Sequence, residues 1–331
     1  MNPDAVTLAK LGWTDHFADQ CEASESSSAA RLSAVSRDDA IGLTPSGPRP
    51  LVLPGTQSAA DYAVGDWVIL HADTGRILRR LARTSVLRRR AAGTGRAVQL
   101  IAANIDTLFI VSSCNDDFNP ARLERYLVLA AESGIDPVIL LTKADRTDDP
   151  ANFVNAARAL AADLPVAAVN AKNPATADLM AGWLGRGRTG ALLGSSGVGK
   201  TTLLNAMTGG DAATGEIRED DARGRHTTTA RGLFAARGGA WLVDTPGMRA
   251  IRLADVGDGI DAVFSDISDL AAACRFSDCA HQGEPGCAVQ AALADGTLPA
   301  ARLDRWRKLK LEEADNTTLL QRARRTGRRR R

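Results

Sequence analysis

The sequence predicts a multidomain α/β protein with an amino-terminal OB-like β-barrel, a domain built on a parallel sheet with helices on both faces, and a helical carboxy-terminal region organised by a Cys/His cluster. Three observations carry that reading. From 31 to 98, short apolar segments are broken by Gly and Pro at the roughly eight-to-twelve-residue pitch of a small all-β unit. From 99 to 257, apolar strands alternate with amphipathic helices, the pattern of a parallel sheet. Beyond 258, Cys274, Cys279, His281 and Cys287 fall within fourteen residues.

At 331 residues the chain has material for several domains. It contains no apolar run near the ~20 residues of a membrane span and no basic-then-apolar start of a signal peptide, so a cytoplasmic protein is expected. The formal net charge is only +2, but residues 76–96 hold eight arginines and no acid, and residues 322–331 hold seven arginines. Such local basic surfaces point to an anionic partner. Five cysteines is an odd number, and the clustering of three of them favours a metal over disulfides in a reducing compartment.

Taken in order, residues 1–30 open with Leu8, Leu11, Trp13 and Phe17 at helix-like spacing and pass into a polar serine run, which reads as a docked segment followed by a loose linker. In the barrel, strands are expected at 32–35, 40–43, 50–53 and 64–70. The later ones carry Arg76, Arg79, Arg80, Arg83, Arg88, Arg89, Arg90 and Arg96, which suits either a grip on a phosphate backbone or a solvated basic face. Trp67 and Tyr62 could stack on bases or fill the barrel core.

The central domain is organised by Gly194-Ser-Ser-Gly-Val-Gly-Lys-Thr201, which matches the phosphate-binding pattern GxxxxGK[ST] between a strand (191–193) and a helix (202–207). Backbone N–H groups of Gly194, Ser195, Ser196, Gly197, Val198 and Gly199 would cradle phosphates, Lys200 would reach the β- and γ-phosphates, and Thr201, followed by Thr202, would hold Mg²⁺. Upstream, strands at 107–111, 137–141 and 166–169 alternate with helices at 120–133, 150–162 and 176–184. Ligands in such sheets collect at the carboxyl ends of the strands. Thr142-Lys143-Ala144-Asp145 stands at one such end and fits [N/T]KxD, in which the Asp carboxylate accepts from both N1–H and the exocyclic amine of guanine. Asn170-Ala171-Lys172, at the next strand end, could close over the base. Downstream, Gly224-Arg-His226-Thr-Thr228-Thr229 reads as a switch loop offering Thr228 to Mg²⁺, and Asp244-Thr-Pro-Gly247 fits DxxG, with Asp244 supporting the metal and the Gly247 N–H sensing the γ-phosphate. Met248 follows where water-orienting Gln is usual, which makes His226 the candidate to place the attacking water.

In the tail, three thiolates and an imidazole, from Cys274, Cys279, His281 and Cys287, satisfy tetrahedral Zn²⁺ with no open position, the character of a structural site. A helix is expected over 300–313, and the final arginines are expected to be unstructured when free, binding nucleic acid or staying solvated.

The guanine-reading motif precedes the P-loop, the reverse of the order in ordinary small GTPases, so the domain is read as a circularly permuted P-loop GTPase domain. With these motifs in this order, the chain resembles the ribosome small-subunit-dependent GTPase A family from about 31 to 315. That resemblance implies an N-terminal OB-fold, a permuted GTPase domain and a zinc region. It also implies a GTP hydrolase acting on the maturing small ribosomal subunit and contacting its rRNA; apart from the resemblance, a cytoplasmic monomer is expected. Thr142 and Asn170 replace the commoner Asn and Ser, and Gly197 stands where some related GTPases place a K⁺-coordinating Asn. Two other classes remain to be separated: a small-molecule kinase sharing the P-loop, and a nucleic-acid-binding zinc protein with a regulatory, weakly hydrolysing nucleotide site. Guanine selectivity and multiple-turnover phosphate release distinguish them.

Overall fold

The computed structural model describes residues 8–22, 24–36, 39–55, 58–90, 98–210, 232–245 and 256–328. The first sheet has the order β3-β2-β1-β4-β5, formed by β1 (Ala29–Val35), β2 (Ala40–Thr44), β3 (Gly47–Leu51), β4 (Trp67–Leu70) and β5 (Ile77–Arg80). Its two edges meet: Val52 pairs in parallel with Arg76, the Val52 N–H donating to Gly75 O at 3.1 Å and the Ile77 N–H to Val52 O at 3.0 Å. The sheet therefore closes as a five-stranded barrel of circular order 1-2-3-5-4, which removes both free edges.

Alternation along these strands sends Ala30, Leu32, Val68 and Leu70 into the barrel core with Tyr62, Leu51 and Ile77. Trp67 points the other way, beneath the amino-terminal segment. There Leu8, Leu11 and Phe17 are buried with it, and Trp13 meets it edge-on with ring centroids 4.8 Å apart. Of the two sequence readings of Trp67 and Tyr62, the core one holds: they are 0% and 4% exposed, which leaves no ring face for a base. The serine run is also tied down, because Arg79 donates to Gln20 O and pairs with Glu25 at 2.8 Å.

The ribbon of β6 (Val86–Arg90) and β7 (Val98–Ala103) leads from the barrel into the central sheet. That sheet has the order β10-β9-β8-β11-β13-β12, with β8 (Thr107–Ser113), β9 (Asp136–Thr142), β10 (Val166–Ala168), β11 (Thr189–Gly194) and β13 (Ala240–Asp244) parallel, and β12 (Leu233–Ala236) antiparallel at one edge. Every residue of β8 and β11 is buried, as expected for strands covered on both faces. Their side chains divide between two apolar clusters, Leu108 and Ile110 in one, Phe109 and Leu192 in the other.

Helices α1 (Pro120–Glu132), α2 (Pro150–Arg158) and α3 (Pro174–Leu184) each start with Pro after a side-chain cap, from Asn119, Asp149 and Asn173. The cap satisfies an otherwise orphan N–H, and proline brings none. The P-loop helix is α4 (Lys200–Thr208). The carboxy-terminal region comprises α5 (Gly257–Val263), α6 (Ser265–Ala272), α7 (Ala288–Ala294) and α8 (Ala300–Arg328). Helix α8 runs well past 313, so the tail expected to be unstructured is helical as far as Arg328. The apolar spacing that set the shorter expectation stops there, but no Pro interrupts the following residues, and the Thr317 hydroxyl donates to Glu313 one turn back at 2.9 Å.

Guanidiniums join the three parts. Arg31 of β1, 1% exposed, donates to Leu11 O at 2.6 Å, Asn104 O at 3.3 Å and Thr189 Oγ1 at 2.7 Å. Burial pushes its pKa down to about 10, with Asp106 and Asp66 opposing the shift, so it stays charged at neutral pH. Arg302 of α8 binds the fully buried Glu124 of α1 at 3.2 Å and Asp266 at 2.6 Å, and Arg305 binds Glu124 at 2.7 Å. Arg305 still pairs with Glu124 when Arg302 is removed, so Arg302→Ala takes away hydrogen bonds to charged groups without stranding the carboxylate and should destabilise the protein by about 1.5–3 kcal/mol. Urea denaturation followed by tryptophan fluorescence checks this.

Candidate nucleotide and metal sites

The five parallel strands bring the sequence-predicted loops to one edge. In register, Gly194 stands beside Val111 and Thr142 beside Ser113, while Ala168 pairs with Leu141 and Asp244 with Leu192. The P-loop, Thr142-Lys-Ala-Asp145, Asn170-Ala171 and Asp244 therefore emerge together at the carboxyl edge, on either side of the switch between β8 and β11 where ligands bind in open α/β sheets.

A buried hydroxyl joins two of these loops. Thr142 Oγ1 donates to Val198 O at 2.5 Å and lies 3.0 Å from Ser112 O, so the residue opening the guanine-reading motif is bonded to the P-loop backbone. Lys143 follows in the left-handed region at φ 59°. Asp145 is exposed, and no protein hydrogen bond to its carboxylate occurs among the described residues. Asn170 folds its own loop: its side chain accepts from the Lys172 N–H at 3.0 Å and its carbonyl from the Thr176 hydroxyl at 2.7 Å. Ala171 is buried beside it.

Within the P-loop, Gly197 and Gly199 have φ of 80° and 97°, conformations only glycine adopts freely. A Cβ on Gly194 would come within 2.2 Å of Val111 O, so this glycine permits the approach to β8. Lys200 Nζ donates to Gly194 O at 2.8 Å and to Ser195 O, curling over its own loop. Ser196, Thr201 and Thr202 are exposed, and Val198 is buried under the turn. Burial pushes the Asp244 carboxyl up, while Lys200 and the Thr245 N–H pull it down. His226, Thr228 and Gly247, with Met248, lie outside the described residues.

In the second cluster, Cys274 follows α6, Cys287 caps α7 by accepting from the Gln290 N–H at 3.4 Å, and Cys279 and His281 lie on the loop between. The donor atoms all fall within 4.8 Å of one another. Cys274 Sγ and Cys287 Sγ are 3.8 Å apart, and each is 3.5 Å from His281 Nδ1. A tetrahedron with Zn–S of about 2.3 Å and Zn–N of about 2.0 Å has edges of about 3.5–3.8 Å, so Cys274, His281 and Cys287 stand at the spacing of that ion, and Cys279, within 4.8 Å of them, completes the donor set. A disulfide, at about 2.05 Å, does not fit these separations. The loop is braced by Glu284, whose carboxylate accepts from the backbone N–H groups of Ala280, Gln282 and Gly283. Backbone hydrogen bonds, opposed by desolvation, hold its pKa at about 2, so it remains an acceptor at every pH at which cysteines bind a metal.

The basic barrel residues divide by role. Arg83 pairs with buried Asp66 at 2.6 Å and Arg79 with Glu25, so these two are engaged in the fold. The side chains of Arg89 and Arg90, and all of Arg96, lie outside what is described. Sequence reasoning missed Arg31, Arg122 and Tyr126. Arg122 donates to Ser195 with Tyr126 beside it, and no spacing along the chain marks that long-range meeting.

The strand order, the permuted motif order and the loops at one edge define a circularly permuted P-loop GTPase. Its fold matches that of YjeQ from Thermotoga maritima, with a TM-score of 0.62 at 24% identity over 86% of this chain and 98% of that one. It also matches YloQ, a circularly permuted GTPase, with a TM-score of 0.58 at 24% identity over 86% of this chain and 96% of that one. The chain belongs to the RsgA GTPase family, whose model matches residues 80–254, and it is therefore a GTP hydrolase by class. Curated relatives include small ribosomal subunit biogenesis GTPase RsgA of Mesorhizobium japonicum, 53% identical over 94% of this chain and 91% of that one. Small ribosomal subunit biogenesis GTPase RsgA 2 of Vibrio vulnificus is 46% identical over 94% and 89%. Membership sets aside the small-molecule kinase.

Thr142→Val keeps the shape but leaves Val198 O without this donor. It should cost about 1–3 kcal/mol of stability and weaken GTP binding, both measurable by thermal melting with and without GTP.

Proposed function

We propose that this protein is a GTPase that binds the small ribosomal subunit and assists its late maturation, hydrolysing GTP to GDP and phosphate with nucleotide-dependent binding to the subunit and its rRNA. The observation that carries the proposal is the convergence of P-loop, guanine-reading loop and Asp244 at one sheet edge; the names of the curated relatives supply the partner. The working division is an amino-terminal segment (1–30), barrel (31–98), GTPase domain (99–257), zinc region (258–315) and basic tail (316–331). In this reading Asp145 reads guanine, with Thr142, Lys143, Asn170 and Ala171 framing the base. The P-loop from Gly194 to Thr202 binds phosphates, and Thr201 and Thr228 ligate Mg²⁺ with support from Asp244. His226 orients water and Gly247 senses the γ-phosphate. Cys274, Cys279, His281 and Cys287 hold one structural Zn²⁺, and the protein works as a cytoplasmic monomer. Among the described residues no helix is long and apolar enough to cross a membrane.

GTP hydrolysis measured with and without purified small subunits tests nucleotide, chemistry and partner together. Slow basal turnover accelerated by subunits is expected, with His226→Ala losing most of the stimulation while GTP affinity stays near wild type. Asp145→Asn should shift selectivity from guanine toward xanthine nucleotides. Absence of stimulation by subunits would remove the proposed partner.

Elemental analysis should find about one zinc per chain. Cys279→Ala should unfold the loop between α6 and α7 while the Arg302 and Arg305 pairs keep α1 in place and spare nucleotide binding, because structural zinc contributes folding free energy locally. Limited proteolysis and a GTP titration read the two effects separately.

A further inference from the structure

Three side chains converge on Ser195, a position the GxxxxGK[ST] pattern leaves free. From α1, Arg122 Nη1 donates to the Ser195 hydroxyl and lies 3.1 Å from Asp117 Oδ1. One turn on, Tyr126, 3% exposed, stands beside the same serine. From α4, Lys200 Nζ donates to the Ser195 carbonyl. Helix α1 is itself clamped: Glu124 is fully buried between Arg302 and Arg305, and Arg125 forms a two-pronged pair with Glu312 of α8. Arg122 is thus presented to the P-loop from a helix held on its far side by the carboxy-terminal region.

The loop it touches needs holding. With Gly197 and Gly199 both at positive φ, the segment has wide conformational freedom, and its N–H groups bind phosphate well only if they are already turned inward. A hydroxyl pinned from α1 fixes the loop's first turn, and the ordering cost of binding falls accordingly.

We propose that Arg122 is a positioning residue for the nucleotide: by gripping the Ser195 hydroxyl from α1 it preorganises the P-loop for the α- and β-phosphates. The inference rests on the reading of residues 194–202 as the phosphate-binding site. The grip acts on phosphates common to both nucleotides, so it stabilises bound GTP and GDP alike and leaves the chemical step alone.

The test is a double-mutant cycle on the full-length protein, with Kd for GTP and GDP from calorimetry and kcat from phosphate release at saturating GTP. Arg122→Ala should raise both dissociation constants about tenfold, the size of one hydrogen bond to a charged group, while kcat stays within about twofold. Ser195→Ala should reproduce that effect from the other side of the contact, and the double variant should be no weaker than either single one. Ser195→Ala also keeps the proposal testable if Arg122→Ala fails to fold. Unchanged dissociation constants in the variants, multiplying losses in the double variant, or a fall in kcat with Kd intact would each overturn the assignment. Lys200→Ala separates this from the site itself: if that variant binds GTP like the parent, the P-loop reading fails, whereas loss there with no effect at Arg122 and Ser195 removes only the positioning role.

Discussion

The register of β8 between β9 and β11 is the constraint on which the nucleotide edge depends. Side chains in a strand alternate faces, so a one-residue slip would exchange Leu108 and Ile110 with Phe109 and Val111 between two unlike apolar clusters. Burial on both faces thus fixes the register far more firmly than hydrogen bonding alone. Once it is fixed, Gly194 is level with Val111 and Thr142 with Ser113. The hydroxyl of Thr142 then meets Val198 O without further adjustment. Geometry at the loops is inherited from packing in the core.

Cohesion between the parts falls to arginine. Arg31 and Arg302 each place a guanidinium at a junction and divide its donors among carbonyl oxygens, hydroxyls and carboxylates from different elements, and Arg83 does the same within the barrel. A planar group with five donors can satisfy several strand and helix ends at once, which a lysine cannot do. The arginine richness of the chain therefore has two sources, and residue counting sees only their sum. Arg83 and Arg79 look like members of a basic face in the sequence, yet their partners are Asp66 and Glu25.

Much of the architecture was legible because the signals were local. Three helices of the sheet domain were legible from their alternation with apolar strands, and the P-loop and Thr142-Lys-Ala-Asp145 from fixed residue types within one turn; the Asn173 cap before Pro174, which starts α3 two residues earlier than expected, was not read. The Cys/His quartet was legible for the same reason: its donors are close in sequence and converge in space. What escaped was non-local. Arg31 reaches Thr189, and Arg122 reaches Ser195, 158 and 73 positions away along the chain, and neither contact leaves a periodicity. The extent of α8 was missed for a different reason, since helix continuation without an apolar stripe depends on the absence of breakers rather than on a positive signal.

The joint between α3 and β11, where permutation splices the domain, consists of Gly185-Arg186-Gly187-Arg188, with both glycines at positive φ. It lies at the amino edge, opposite the phosphates, and the amino-terminal segment covers it: a Cβ on Gly12 would fall 2.6 Å from Gly187 O, and one on Gly187 would fall 3.0 Å from Ala9 O. Backbone meets backbone there, so neither glycine has room to acquire a side chain independently of the other. The splice is consequently closed by a stretch of chain that belongs to neither flanking strand nor helix. The relocated termini of this domain are thus joined by a linker and held by a clasp, and residues 8–12 supply the clasp.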